Sequence, residues 1–318
     1  MPTPSASPPV ALLLSGRGDH PSRSRENLHL LRPAVRVRDE EWLALAPWER
    51  YLARVHAAAA RHPDIVFSHE SAAALWGLPV FGEPRHVHCF DLDRATSTRR
   101  GDLVIHTSAD PREITSHASG LHTTDAAHTT LDLLRVLPPA FALALMDAAI
   151  SPRQLGLTDV VTVRSLLAAQ RNRRGVSRAE WVLDAANPLA ESVAESVSRA
   201  VITWLGFELP ELQVAFRRQG GTDRVDFFWR RMAVIGEMDG YAKYAAESAQ
   251  TVVDQVIQEK RREDRLREQV RGFVRWEWRD AIRAAPLREK LLRAGVPVVA
   301  APARQLLATL RTNPRSLP

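Results

Sequence analysis

The sequence predicts an α/β protein in two parts: a mostly helical first half carrying a small β-hairpin, then a C-terminal α/β domain. Three observations predict it. The 318 residues exceed the ~100–200 that one domain usually takes. Apolar residues recur at helical spacing through much of residues 47–188 and later give way to strand-like alternation. The closing stretch reads helix, three strands, long helix, strand, an order that layers helices on a sheet. The expected division is a loose arm over residues 1–40, a first domain over 41–188, and a second over 189–318 ending in a helical tail.

Composition bounds the function classes. A hydrophobic fraction of 45% and a charged fraction of 25% are ordinary for a globular protein, while a net charge of +6 and an isoelectric point near 10.1 suit an anionic partner. The basic side is almost all arginine: Lys243, Lys260 and Lys290 are the lysines among 43 basic residues. One cysteine, Cys89, excludes an internal disulfide, and without a CxxC or CxxH pattern zinc-finger readings fall away. A reducing compartment and a cytoplasmic location are expected. No stretch approaches the ~18–20 apolar residues of a membrane span.

The elements follow in order. Residues 1–40 are rich in Pro, Ser and Arg and lack sustained periodicity beyond a faint LLRPAVRV from Leu30, so little core is expected of them. PWERYLARVHAAAARH from Pro47 has helical apolar spacing with proline in its first turn. SHESAAALWG over 68–77 follows, with Ser68 as cap, Glu70 at the positive end and Gly77 as stop. HVHCF from His86 and DLVIHT from Asp102 are β-like and flank the arginine-containing DRATSTRRG, which predicts a hairpin with a basic tip. Alternation puts His86 and His88 on one face and Cys89 on the other, which argues against a metal site there. DAAHTTLDLLRVL from Asp125 and AFALALMDAAI after Pro139 read as helices, and residues 157–188 are helical around the basic loop QRNRRG.

In the second part the elements are a helix over 192–205, strands over 212–217, 224–229 and 232–238, a helix over 248–271 and a strand over 273–278. In RVDFFW the period of two puts Arg224, Asp226 and Phe228 on one face and Val225, Phe227 and Trp229 on the other. Arg230 and Arg231 alone separate it from the next strand, so the two form an antiparallel hairpin. On that next strand Ile235, Glu237 and Asp239 share a face, which brings two acids beside Asp226. Three carboxylates in one place repel unless a cation compensates. Mg²⁺ or Mn²⁺, which prefer oxygen ligands and bridge carboxylates to phosphates, fit that need. On the long helix, EKRREDR supplies either phosphate contacts or a solvated face with ion pairs such as Glu259–Arg262 and Glu263–Arg267.

AESVSRAVITWLGFELPELQ from Ala194, RVDFFW, IGEMDGYAKY and QEKRREDRLRE from Gln258 together resemble the endonuclease-like domain related to very-short-patch repair nucleases, in the PD-(D/E)XK superfamily. The resemblance covers roughly residues 190–280 and implies a restriction-endonuclease-like fold. It implies metal-dependent DNA phosphodiester hydrolysis, with Glu195 as the first-helix acid, Asp226 as the central aspartate and Glu237 as the acid of the E-x-K element. Asp226 and Glu237 would hold Mg²⁺ or Mn²⁺. Asp239 stands where that superfamily has lysine, so Lys243 or Lys260 must supply the charge that assists the attacking water. Arg199, Arg224, Arg261, Arg262 and Arg265 are the corresponding phosphate-contact candidates. The alternative is a silent carboxylate network held by Arg224 or a lysine.

VFSHESAAALWGLPVFG from Val66, TTDAAHTTLDLLRVLP from Thr123 and ALALMDAAI from Ala142 resemble the AbiEi antitoxins of type IV toxin–antitoxin systems. That likeness covers roughly residues 30–150 and implies a DNA-associated transcriptional regulator opposing a nucleotidyltransferase toxin. The winged helix-turn-helix that opens such antitoxins has no counterpart pattern in residues 1–40. No glycine elbow of the G-x-S-x-G kind and no glycine-rich phosphate loop occurs.

Overall fold

The computed structural model describes residues 7–14, 27–218, 220–239 and 249–317. The described residues form a mixed α/β structure with three sheets, and the chain divides into two compact units that do not follow a single cut. One unit comprises residues 1–137, 154–186 and 313–318, and the other comprises 138–153 and 187–312.

The first unit has more sheet than one hairpin. One sheet of six strands has the order Thr98–Arg100, Leu103–His106, Val87–Phe90, Val66–Phe67, His122–Thr124, Ile114–Ser116. The expected hairpin between the His86 and Asp102 runs is corrected here. Val87–Phe90 and Leu103–His106 pair in parallel, and the antiparallel partner of Leu103–His106 is Thr98–Arg100 inside the arginine-containing loop. The connection is long enough to cross over, as a parallel pairing requires. Tyr51, Val55, Phe67, Leu75 and Val87 form the core against the Pro47–Arg61 and His69–Trp76 helices. Gly77 closes the second of these in the left-handed conformation at φ 72°, as its position predicts. Ser68 takes the N-cap position, although its side chain accepts no capping hydrogen bond.

Within the segment expected to be a loose arm, Leu28–Arg32 and Val35–Arg38 form an antiparallel pair, and Leu13–Leu14 adds to its edge. Val35 and Val37 are fully buried, so the alternation of VRVR outweighs the surrounding Pro and Ser content.

In the second unit the sheet order is Glu211–Arg218, Gly221–Trp229, Val234–Asp239, Gly272–Glu277. The first two junctions are antiparallel and the last is parallel. The Ala249–Arg267 helix supplies the crossover between the two parallel strands, which a hairpin cannot join. Phe227 and Trp276 pack together and the Trp276 indole donates to Ser198 of the Val193–Trp204 helix, so one sheet face lies on that helix. Val225, Phe228 and Ile235 pack with Leu266 of the crossover helix on the other face.

The Pro139–Ile150 helix belongs to this unit. It is buried on nearly every face, which is why its sequence shows almost no amphipathic stripe. Asp147, fully buried, accepts from Arg199 of the Val193–Trp204 helix at 2.7 Å and from the backbone N–H of Asn187 at 2.8 Å.

Candidate functional site

The site is built from the Val193–Trp204 helix, the crossover helix and the four strands of the second unit's sheet. Ser192 caps the helix by accepting from the Glu195 backbone N–H at 3.2 Å and returns a hydrogen bond from its hydroxyl to Glu195 Oε1 at 2.8 Å. Glu195 Oε2 accepts from the Glu191 backbone N–H at 3.0 Å and from Gln213 Nε2 at 2.8 Å. Helix capping therefore accounts for part of this carboxylate's placement. Gln213 extends the link, with its amide nitrogen also 3.5 Å from Asp226 Oδ1.

Gln213 carries φ +55° inside its strand, a conformation that non-glycine side chains avoid. The expected alternation breaks at the same place. Val225 and Phe228, three residues apart, share one hydrophobic cluster while Phe227 turns to Trp276 on the opposite face. Asp226 thus sits where the strand changes face, and its Oδ2 accepts from the Met238 backbone N–H at 2.9 Å. Backbone strain stored beside converging polar groups is common at functional positions.

Ile235, Glu237 and Asp239 share the face that looks on the crossover helix. Ile235 packs on Leu266, Glu237 Oε1 accepts from Arg262 Nη2 at 2.9 Å, and Asp239 accepts from Arg275 at 2.6 and 2.9 Å. Gly236, between them, points the other way: a Cβ there would lie 2.7 Å from the Trp276 ring and 3.0 Å from Trp229. Glycine at this position lets the acid-bearing strand lie close against the tryptophans.

Glu195 and Glu237 are each only 6% exposed. Burial, reinforced by the Asp226 carboxylate, pushes both carboxyls up to about 7, and for Glu237 this persists although Arg262 opposes it. Electrostatically the three acids form one cluster around Asp226. Among the described residues, no three His, Cys, Asp or Glu side chains are grouped so as to cage a metal ion.

The cations are not the ones singled out from sequence. Lys243 lies outside the described residues, and Lys260 is exposed on the crossover helix. Arg262 and Arg275 occupy the positions beside the acids, and Arg275 also reaches Glu263 at 2.8 Å. Arg262 also pairs with Glu259 at 3.0 Å and Arg267 with Glu263 at 2.7 Å, the helical ion pairs that the spacing predicts. Among the phosphate-contact candidates, Arg199 turns inward to Asp147, Arg224 pairs with Glu191, Arg265 pairs with Asp223 at 3.1 Å, and Arg261 is exposed.

Two residues of this site escape a reading of the sequence. Gln213 left no signal, because a polar residue between Leu212 and Val214 reads as an outward strand position. Arg275 was legible in principle, since a charge within FVRWE is as anomalous as Asp226 within RVDFF.

In the first unit, His88 Nδ1 lies 2.9 Å from His106 Nε2, and burial pushes the Cys89 thiol up to about 12. Both facts fit packed core groups better than a metal site. Among the described residues, no helix is long and apolar enough to cross a membrane.

No protein-family model matches the chain, and no solved structure matches it. Uncharacterized proteins from two strains of Mycobacterium tuberculosis are similar, at 33% identity over 177 residues, which is 55% of this chain and 62% of theirs. The chain thus spans less than two thirds of the length of these curated relatives.

Proposed function

We propose that the chain is a nucleic-acid-associated cytoplasmic protein whose second unit is an endonuclease-like domain for metal-dependent hydrolysis of DNA phosphodiesters. The observation that carries this reading is the buried cluster in which Asp226 stands against both Glu195 and Glu237, with Arg262 the described cation in direct contact. Among the described residues three carboxyls face one guanidinium there, an arrangement that a hard divalent cation would suit.

Such an ion would take two protein carboxylates, with water completing its shell. Asp226 and Glu237 lie on neighbouring strands and offer carboxylate oxygens, in the two-carboxylate manner of magnesium sites. When bound, Mg²⁺ or Mn²⁺ would polarise a phosphoryl oxygen and lower the pKa of a bound water. Asp226 and Glu237 would hold the cation, and Gln213 links the Glu195 carboxylate to Asp226. Arg275 keeps Asp239 paired and so limits the negative charge facing a phosphate. Glu195, with a carboxyl near 7, is suited to exchange a proton near neutral pH.

Incubating the full chain with duplex DNA and Mg²⁺ or Mn²⁺ tests this reading. Cleavage that depends on the metal and disappears in Asp226→Ala supports it, whereas cleavage that survives Asp226→Ala removes the assignment.

The second reading is a non-catalytic regulator, an antitoxin-like partner of a nucleotidyltransferase toxin that uses the nuclease-like unit as a DNA-binding platform. It is favoured by one observation: Arg262 and Arg275 already neutralise Glu237 and Asp239, as a retired metal site would require. DNA binding without metal-dependent cleavage selects this reading.

A further inference from the structure

The first unit contains a cavity of about 780 Å³ that no element of the proposed function uses. Its volume is that of a small-molecule site. Its lining includes six arginines, Arg112, Arg135, Arg171, Arg174, Arg178 and Arg315, against two acids, Asp110 and Asp132. Arg112 is paired with Asp132 and Arg315 with the buried Glu70, while the partners of Arg135 and Arg178 are neutral. Arg135 donates to the Gln170 side chain and to the backbone carbonyls of Asn172 and Arg174, and Arg178 donates to those of Arg135 and Leu137. Carbonyl partners satisfy hydrogen bonds without removing a charge. Asp110 is engaged by the Arg171 backbone N–H at 3.2 Å.

Arg112 is the deeper feature. Its side chain is 8% exposed and donates from Nη2 to Asp132 Oδ1 at 2.9 Å, while its Nε and Nη1 are buried without a partner. The Nε2 of Gln170, which also lines the cavity, is buried and unpartnered as well. All three orphan groups are N–H donors, so what satisfies them must bring acceptors. Buried donors left unmet are costly, and an oxygen-rich anion supplies the acceptors. His69, on the wall, stacks on His106 at 3.9 Å and holds φ +48°, strain of the kind that clusters at ligand sites.

We propose that this cavity binds a small phosphorylated molecule, with Arg112 as the anchoring guanidinium and Arg171 and Arg174 at its rim. A guanidinium fork matches phosphate oxygens in both charge and geometry. A terminal phosphate entering the cavity reaches a side chain this deeply buried, whereas a duplex phosphate running along a surface does not. The proposal is independent of the carboxylate cluster in the second unit.

Calorimetric titration of the full chain with pyrophosphate and with AMP tests it. Saturable one-to-one binding is expected, weakening with salt. Arg112→Gln should weaken it at least ~10-fold, which is about 1.4 kcal/mol, with the thermal transition retained. Should Arg112→Gln fail to fold, the exposed double variant Arg171→Ala/Arg174→Ala decides the matter by a loss of about threefold or more. Absence of binding by either probe to the folded wild type overturns the proposal, as does affinity unchanged in the variants. So does a duplex oligonucleotide that displaces AMP and itself loses affinity in Arg112→Gln, because the site then belongs to nucleic acid.

Discussion

Glu237 holds a carboxyl among a sheet, an aspartate and an arginine with almost no access to water, and Glu195 does the same at the start of a helix. Each has an ordinary value of 4.5 and is pushed up to about 7 in the folded chain. Below the ordinary value both are protonated whether the chain is folded or not, so neither costs stability. As pH rises toward 7 the unfolded chain ionises first, and stability falls by up to about 3 kcal/mol per carboxyl once pH passes the folded value. Urea unfolding followed by tryptophan fluorescence should therefore show declining stability from about pH 5 to pH 8. Glu195→Gln and Glu237→Gln should each flatten that decline, and an unaltered slope in both would refute the electrostatic account. Single residues were the most legible level of the sequence. Period-two reasoning placed Glu237 and Asp239 on a common face and pointed to Asp226 as anomalous, but it could not foresee Gln213, whose role depends on a left-handed backbone that no motif encodes.

At the level of elements, the acid-bearing strand works because it is thin on its far side. Gly236 lies against Trp276 and Trp229, and Gly236→Ala would force a methyl into closed aromatic packing. A loss of ~1–3 kcal/mol is expected by denaturant unfolding, and a neutral result would mean that the tryptophans yield freely. The buried pair of Asp147 and Arg199 joins two helices of the same unit. Arg199→Ala leaves Asp147 buried without its cation and should cost ~3–5 kcal/mol, read as a lower urea midpoint. Direct loss of DNA affinity at unchanged stability would instead assign Arg199 to phosphate contact. The amphipathic helices and the closing strand order can be read from spacing because their apolar residues recur at a helical or a strand period. The first unit's sheet could not, because the two-residue strand Val66–Phe67 carries too little pattern and the parallel pairing of Val87–Phe90 with Leu103–His106 depends on neighbours distant in sequence.

For the molecule as a whole, the second unit takes its Pro139–Ile150 helix from the middle of the chain, ahead of further first-unit helices. A fragment of residues 189–318 therefore lacks an integral helix and the partner of Arg199. It should show no cooperative melt, whereas cooperative unfolding of that fragment would show the helix to be dispensable. The basic loop and helix breaks lead to an expected cut near residue 188, but they give no sign that the Pro139–Ile150 helix belongs with the later residues, because a helix buried on nearly every face carries no stripe to reveal its partner. Mn²⁺ binding measured by electron paramagnetic resonance at pH 8 tests the role of the carboxylate cluster most directly. One bound ion per chain is expected, lost in Asp226→Asn and weakened in Glu237→Gln. Absence of bound Mn²⁺ in the folded wild type, or binding untouched by both substitutions, would contradict it.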